Sequence, residues 1–240
     1  MYNLTDEMIN ENKETFISIL SDALSRREGC NVEGLFTKLD ASDFYTAPAS
    51  TKYHACYKGG LVDHSLNVYY NMMSLAKNKH LLEVYETQVV ETEEGPKEQQ
   101  VVVEGEINSD SIAIVALLHD FSKMNYYTTT YKNQKVYCET GSKKDENGRF
   151  DWVSVPGYAV LPPEERFLYG NHEQTAEFMI RQFVPLTYME SAAIINHHFT
   201  LSYDSTKDAG TVGNIYERYP LASLLHIADF LSTYVDERRF

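Results

Sequence analysis

The sequence predicts a mainly α-helical domain with two small β-hairpin insertions. Apolar residues recur at helical spacing in several separate segments, and two intervening stretches turn valine-, tyrosine- and threonine-rich. No internal repeat or low-complexity tract interrupts the 240 residues, a length that allows one sizeable core.

From Thr5 to Arg27, residues such as Ile9, Phe16, Leu20 and Leu24 recur at helical spacing, and Gly29 supplies a stop. Residues 31–50 read as a short helix followed by the loop DFYTAPAST. After Gly59-Gly60 a long helix is expected over LVDHSLNVYYNMMSLAKNKHLLEVY, residues 61–85. Valine-rich stretches on either side of Gly95-Pro96 predict the first hairpin, within 84–107. Asn108, Ser109 and Asp110 offer N-caps to a buried helix over 111–122. Residues 126–160 predict the second hairpin, its strands separated by the long loop GSKKDENG. Helical texture returns over 162–184, and a capping box from Thr187 to Glu190 opens the next helix. SYDSTKDAGTVGN reads as a loop and YPLASLLHIADFLSTYVDERR as a closing amphipathic helix. Residues 1–49 thus form an N-terminal helical segment packed on a domain spanning 50–240, with insertions near 84–107 and 126–160.

Composition narrows the function. A net charge of −14 disfavours a long nucleic acid as partner, since the basic clusters amount to Arg238-Arg239 and Lys143-Lys144. Small phosphate compounds remain open if metal ions neutralise their site. Cys30, Cys56 and Cys138 form no CxxC pair and read as free thiols of a reducing cytoplasm. No apolar run is long enough to span a membrane, and the N-terminal stretch lacks the apolar core of a signal peptide, so no membrane partner is expected. Oligomeric state is not encoded in any pattern we find.

The chemistry lies in the histidines. Ile112–Leu118 carries no polar side chain, yet His119, Asp120 and Lys123 follow at once. Burying charge there is costly unless something pairs with it. Along the chain the set runs His64, His119-Asp120, His172, His197-His198 and His226-x2-Asp229. Neutral imidazoles and an ionised carboxylate suit a divalent transition metal, and successive helices can each deliver one ligand to a shared point. Any one of these histidines alone would be an ordinary core or surface residue.

The order of these residues resembles the HD-domain superfamily of metal-dependent phosphohydrolases, in its bacterial and phage members. YHACYKGGLVDHSLNV resembles the entry segment and LLHDFSK the hallmark helix end, with Phe121-Ser122 replacing the commoner aliphatic-glycine or aliphatic-alanine pair. GNHEQTAEFMI, IINHH and LLHIADFLS are similar to the remaining segments. The resemblance implies an HD-domain helical bundle in which His64, His119, Asp120 and Asp229 hold a first divalent ion. Asp120 would bridge to a second, held by His172 and His197; with one ion only, His172 would contact a substrate phosphate or a water. His198 would orient ligands or face substrate, and the reversed assignment of His197 and His198 stays open.

Asp120 and Lys123 are the implied catalytic pair. Lys123 would reach a phosphate oxygen or the attacking water, or else form a salt bridge with a neighbouring carboxylate. His54 would face the ligand or cap a helix, and His226 would orient Asp229 or pack behind it. The implied activity is cleavage of a phosphoester or phosphoanhydride bond in a nucleotide or other small phosphorylated compound. One or two ions of manganese, cobalt, nickel, zinc, magnesium or iron would serve. The same ligand order also occurs in di-iron oxygenases of that superfamily, and a non-catalytic ligand- or partner-binding protein is the third alternative.

Overall fold

The computed structural model describes residues 4–92, 95–167, 169–198 and 209–237. In chain order the elements are α1 (Asp6–Ser25), α2 (Val32–Asp40), α3 (Gly60–Asn78), β1 (Val84–Thr92), β2 (Gly95–Glu104), α4 (Ser109–Leu118), β3 (Tyr127–Tyr137), β4 (Lys143–Asp145), β5 (Gly148–Val160), α5 (His172–Ile180), α6 (Tyr188–Ile195), α7 (Ala209–Arg218) and α8 (Pro220–Leu231). A 3-10 turn over Phe121–Lys123 follows α4, and α8 runs on into a π turn over Ser232–Asp236.

The helices pack around α4, which is buried continuously from Ser111 to Leu118. Its all-round apolar sequence follows from that central position, because α1, α3, α6 and α8 all pack against it. Phe16, Leu20 and Leu24 of α1 and Leu35 and Leu39 of α2 belong to the same core as Leu61 of α3 and Leu225 of α8. The side chains of Thr5, Asn108 and Thr187 cap α1, α4 and α6, accepting from backbone N–H groups of the first turn. Gly60 begins α3 where nothing larger fits: a Cβ there would lie 2.0 Å from the Ala55 carbonyl oxygen. That close approach seats loop 50–58 against the first turns of α3.

The chain is mixed α/β, which corrects the expectation of a mainly α bundle with two small hairpins. Helix accounts for 48% of it and strand for 22%, in two separate sheets. The first insertion is the antiparallel pair β1–β2. The second is a three-stranded sheet in the order β3-β5-β4, with β3 paired to β5 from Tyr127–Val160 to Tyr137–Phe150 without a slip. β4 occupies part of what reads as the loop GSKKDENG. Both ribbons expose most of their residues, so no alternation of apolar and polar positions reveals their length.

Smaller differences have local causes. The helix expected over 61–85 stops at Asn78, and His80 takes a left-handed φ of 56° before β1 begins. The helix expected over 111–122 stops at Leu118. Among the described residues of 162–184, only α5 and a 3-10 turn over Pro163–Glu165 are helical. The expected loop at 202–214 lies outside the described residues as far as 208, and from Ala209 the chain is helical. Cys30, Cys56 and Cys138 form no disulfide with one another. No described helix is long and apolar enough to cross a membrane.

Candidate metal centre

Helix ends deliver the site. His64 lies one turn into α3, His119 and Asp120 directly follow α4, and His172 opens α5. His197 and His198 follow α6, and Asp229 lies in the last turn of α8. His64, His119, Asp120, His197 and Asp229 are buried. Ser122, where the resemblance expects a small apolar residue, donates its hydroxyl to the His172 carbonyl (2.8 Å) and ties α5 to the turn after α4.

Asp120 is the hub, and its two oxygens face different partners. Oδ2 lies 3.4 Å from His119 Nε2 and 3.9 Å from His64 Nε2. Oδ1 lies 3.8 Å from His197 Nε2 and 3.9 Å from His172 Nε2. Asp229 spans the same two sets, with Oδ1 3.2 Å from His64 Nε2 and Oδ2 3.1 Å from His198 Nε2.

Backbone contacts fix the tautomers. His119 Nδ1 donates to the Ala116 carbonyl (2.8 Å) and His197 Nδ1 to the Ile194 carbonyl (2.6 Å). In the neutral rings, each Nε2 therefore presents a lone pair. Those two nitrogens and Asp120 Oδ1 are buried and have no hydrogen-bond partner among the described residues. Three acceptors converge with no donor among them, an arrangement that is costly in itself and suited to a cation. His64–His119–Asp120 and His172–His197–His198 are each close enough to hold a metal ion.

Charge is distributed unevenly. Burial opposes protonation of His64, but Glu237 and Asp229 outweigh it and raise its pKa to about 10. His198 is likewise raised to about 9, against burial, by Asp229 and Glu173. Burial pushes His197 well below its ordinary value, with neighbouring His198 adding to the effect, and it lowers His172 to about 4. Although burial opposes its ionisation, Asp120 is held far below the usual carboxylate range by Lys123 and His119.

All nine site residues singled out in the sequence fall around this centre. Lys123 Nζ lies 2.6 Å from Asp120 Oδ2, so it forms the salt bridge that was one of its two expected roles. The His54 ring packs 4.8 Å from the His64 ring, with both nitrogens buried and unpartnered. His226 donates to the His197 carbonyl (2.7 Å), which steadies the histidine pair. His80 is elsewhere, on the surface beside Glu104. Two residues escaped sequence reasoning: Glu237, whose carboxylate holds His64 Nδ1 at 3.0 Å, and Glu173, which lies between His172 and His198. Glu173 adjoins His172 in sequence, and Glu237 follows Asp229 by about two helical turns, but neither spacing is distinctive. No protein-family model, curated protein or solved structure matches the chain.

Proposed function

We propose that the chain is an HD-type metal-dependent phosphohydrolase acting on a nucleotide or another small phosphorylated compound. The observation that best supports this is Asp120, whose carboxylate stands between two histidine sets, with the buried Nε2 atoms of His119 and His197 on either side and no hydrogen-bond partner for either among the described residues. His64, His119, Asp120 and Asp229 would hold one divalent ion, and Asp120, His172 and His197 a second. Bound there, such ions would supply Lewis acidity toward a phosphoryl oxygen and lower the pKa of water.

The chain's own groups have definable tasks. Lys123 keeps Asp120 ionised and places an ammonium where a phosphate oxygen would need a counter-charge. His198, braced by Asp229 and Glu173, adds positive charge on the substrate side. His54 offers a ring nitrogen beside His64 for the substrate to bond. Glu237 and the carbonyls of Ala116 and Ile194 orient the ligand imidazoles.

Elemental mass spectrometry on protein purified without chelator, beside Asp120→Ala, tests the proposal. Expected is about two equivalents of a divalent metal, lost in the variant, together with phosphate release from a nucleotide panel. Iron at that level with oxygen uptake and no phosphate release would replace the hydrolase by an oxygenase. Absence of metal, even after manganese is added, would overturn both.

A further inference from the structure

Away from the metal centre, a cavity of about 710 Å³ lies between loop 51–58 and the β3–β5 ribbon. Small-molecule sites occupy roughly 300–1,000 Å³. Among the described residues Lys52, Lys58 and Lys132 line it, and no aspartate or glutamate does. In a chain with 35 acidic and 21 basic residues, that local reversal of charge marks a place for an anion.

The lysines differ in how they are held. Lys132 Nζ donates to the Thr51 carbonyl (2.7 Å), which ties ribbon to loop and leaves two N–H groups for a ligand. Lys58 meets Asp6 at 2.7 Å, but both side chains are well exposed, and such a surface pair yields readily to a competing phosphate. Lys52 is exposed. Tyr158 and Gln134 also belong to the lining, an aromatic residue and an amide residue of the kinds that meet the face and the edge of a heterocycle. Cationic, aromatic and amide groups around one cavity match phosphates and a base joined in one ligand.

We propose that this groove binds a nucleotide carrying at least two phosphates, at a site separate from the metal centre. The two sites share a wall. Loop 51–58 supplies Lys52 and Lys58 to the groove and His54 to the centre, while Tyr127 at the root of β3 donates to the Ala49 carbonyl (3.1 Å). The groove does not depend on what the centre hydrolyses.

Calorimetric titration of the full chain with adenosine diphosphate, in buffer containing chelator, tests the groove alone. Lys52→Glu/Lys58→Glu changes exposed side chains only, and its unfolding midpoint checks that it folds. Expected is binding weakened at least about tenfold in that variant and changed less than about twofold in His172→Ala/His197→Ala. Inorganic tripolyphosphate is expected to bind more weakly than the nucleotide. Wild-type affinity in the lysine variant, equal loss in the histidine variant, or no binding at millimolar nucleotide would each overturn the groove. Tripolyphosphate binding as tightly as the nucleotide would overturn the base-binding half. These outcomes are read without metal or turnover, so failure here is distinct from failure of the hydrolase proposal.

Discussion

Glu237 orients His64: by accepting from Nδ1 it turns Nε2 toward Asp120 and Asp229. Such outer partners matter nearly as much as ligands, and losing one typically costs 10–100-fold in metal affinity. Glu237→Ala is therefore expected to weaken manganese binding by about that factor and, because buried His64 and Asn67 lose a partner, to lower the unfolding midpoint without metal as well. Unaltered affinity in a titration would show that packing alone orients His64. The residue scale is also where the sequence is most informative. Histidines are few, and a histidine followed by aspartate at the end of an apolar helix is legible as a motif. Glu237 and Glu173 are not, because glutamate is abundant and their roles depend on folding distant segments together.

A largely buried ion pair joins the end of α1 to α6. Arg27, just past α1, donates to Glu190 in the first turn of α6 through both Nη atoms, at 2.6 and 2.5 Å, and Glu190 also accepts from the Thr187 N–H. Burial opposes ionisation of Glu190, yet these donors hold its pKa below the ordinary 4.5. The sign follows from linkage: the pair's contribution is full above the unfolded value near 4.5 and is lost as pH falls through the lower, folded value. Arg27→Met would leave a buried carboxylate uncompensated, so a loss of about 3–5 kcal/mol is expected near neutral pH. In the variant, acidification should no longer reduce stability through this pair; denaturant titrations at neutral and acid pH measure both effects. The box Thr187–Glu190 was legible as a helix start, since capping is a local device. Strand length was not, because β3 and β5 are held by pairing with each other rather than by a buried face.

At the scale of the molecule, the β1–β2 ribbon is an excursion from the helical body. It leaves and returns through a closed base, where Leu82 bridges Ile107 and the Glu83 N–H donates to the Ile107 carbonyl (3.1 Å). β1 and β2 pack chiefly on each other. Replacing residues 86–102 by a short glycine-containing turn is expected to change stability by no more than about 1 kcal/mol, because loop closure depends weakly on length. Metal binding should persist; thermal melting and metal titration of the shortened chain check both, and loss of cooperative melting would show the ribbon to be part of the core. The mixed α/β character was the least legible feature at this scale, since the helical core alone carries a strong periodic signal. The clasp between His64 and Glu237 joins positions 173 residues apart. During synthesis the chain emerges from its N-terminal end, so the imidazole on α3 is made long before the carboxylate that orients it. A centre that includes this clasp can close only after Glu237 has left the ribosome, so everything between the two positions is made while the imidazole still lacks the carboxylate that orients it.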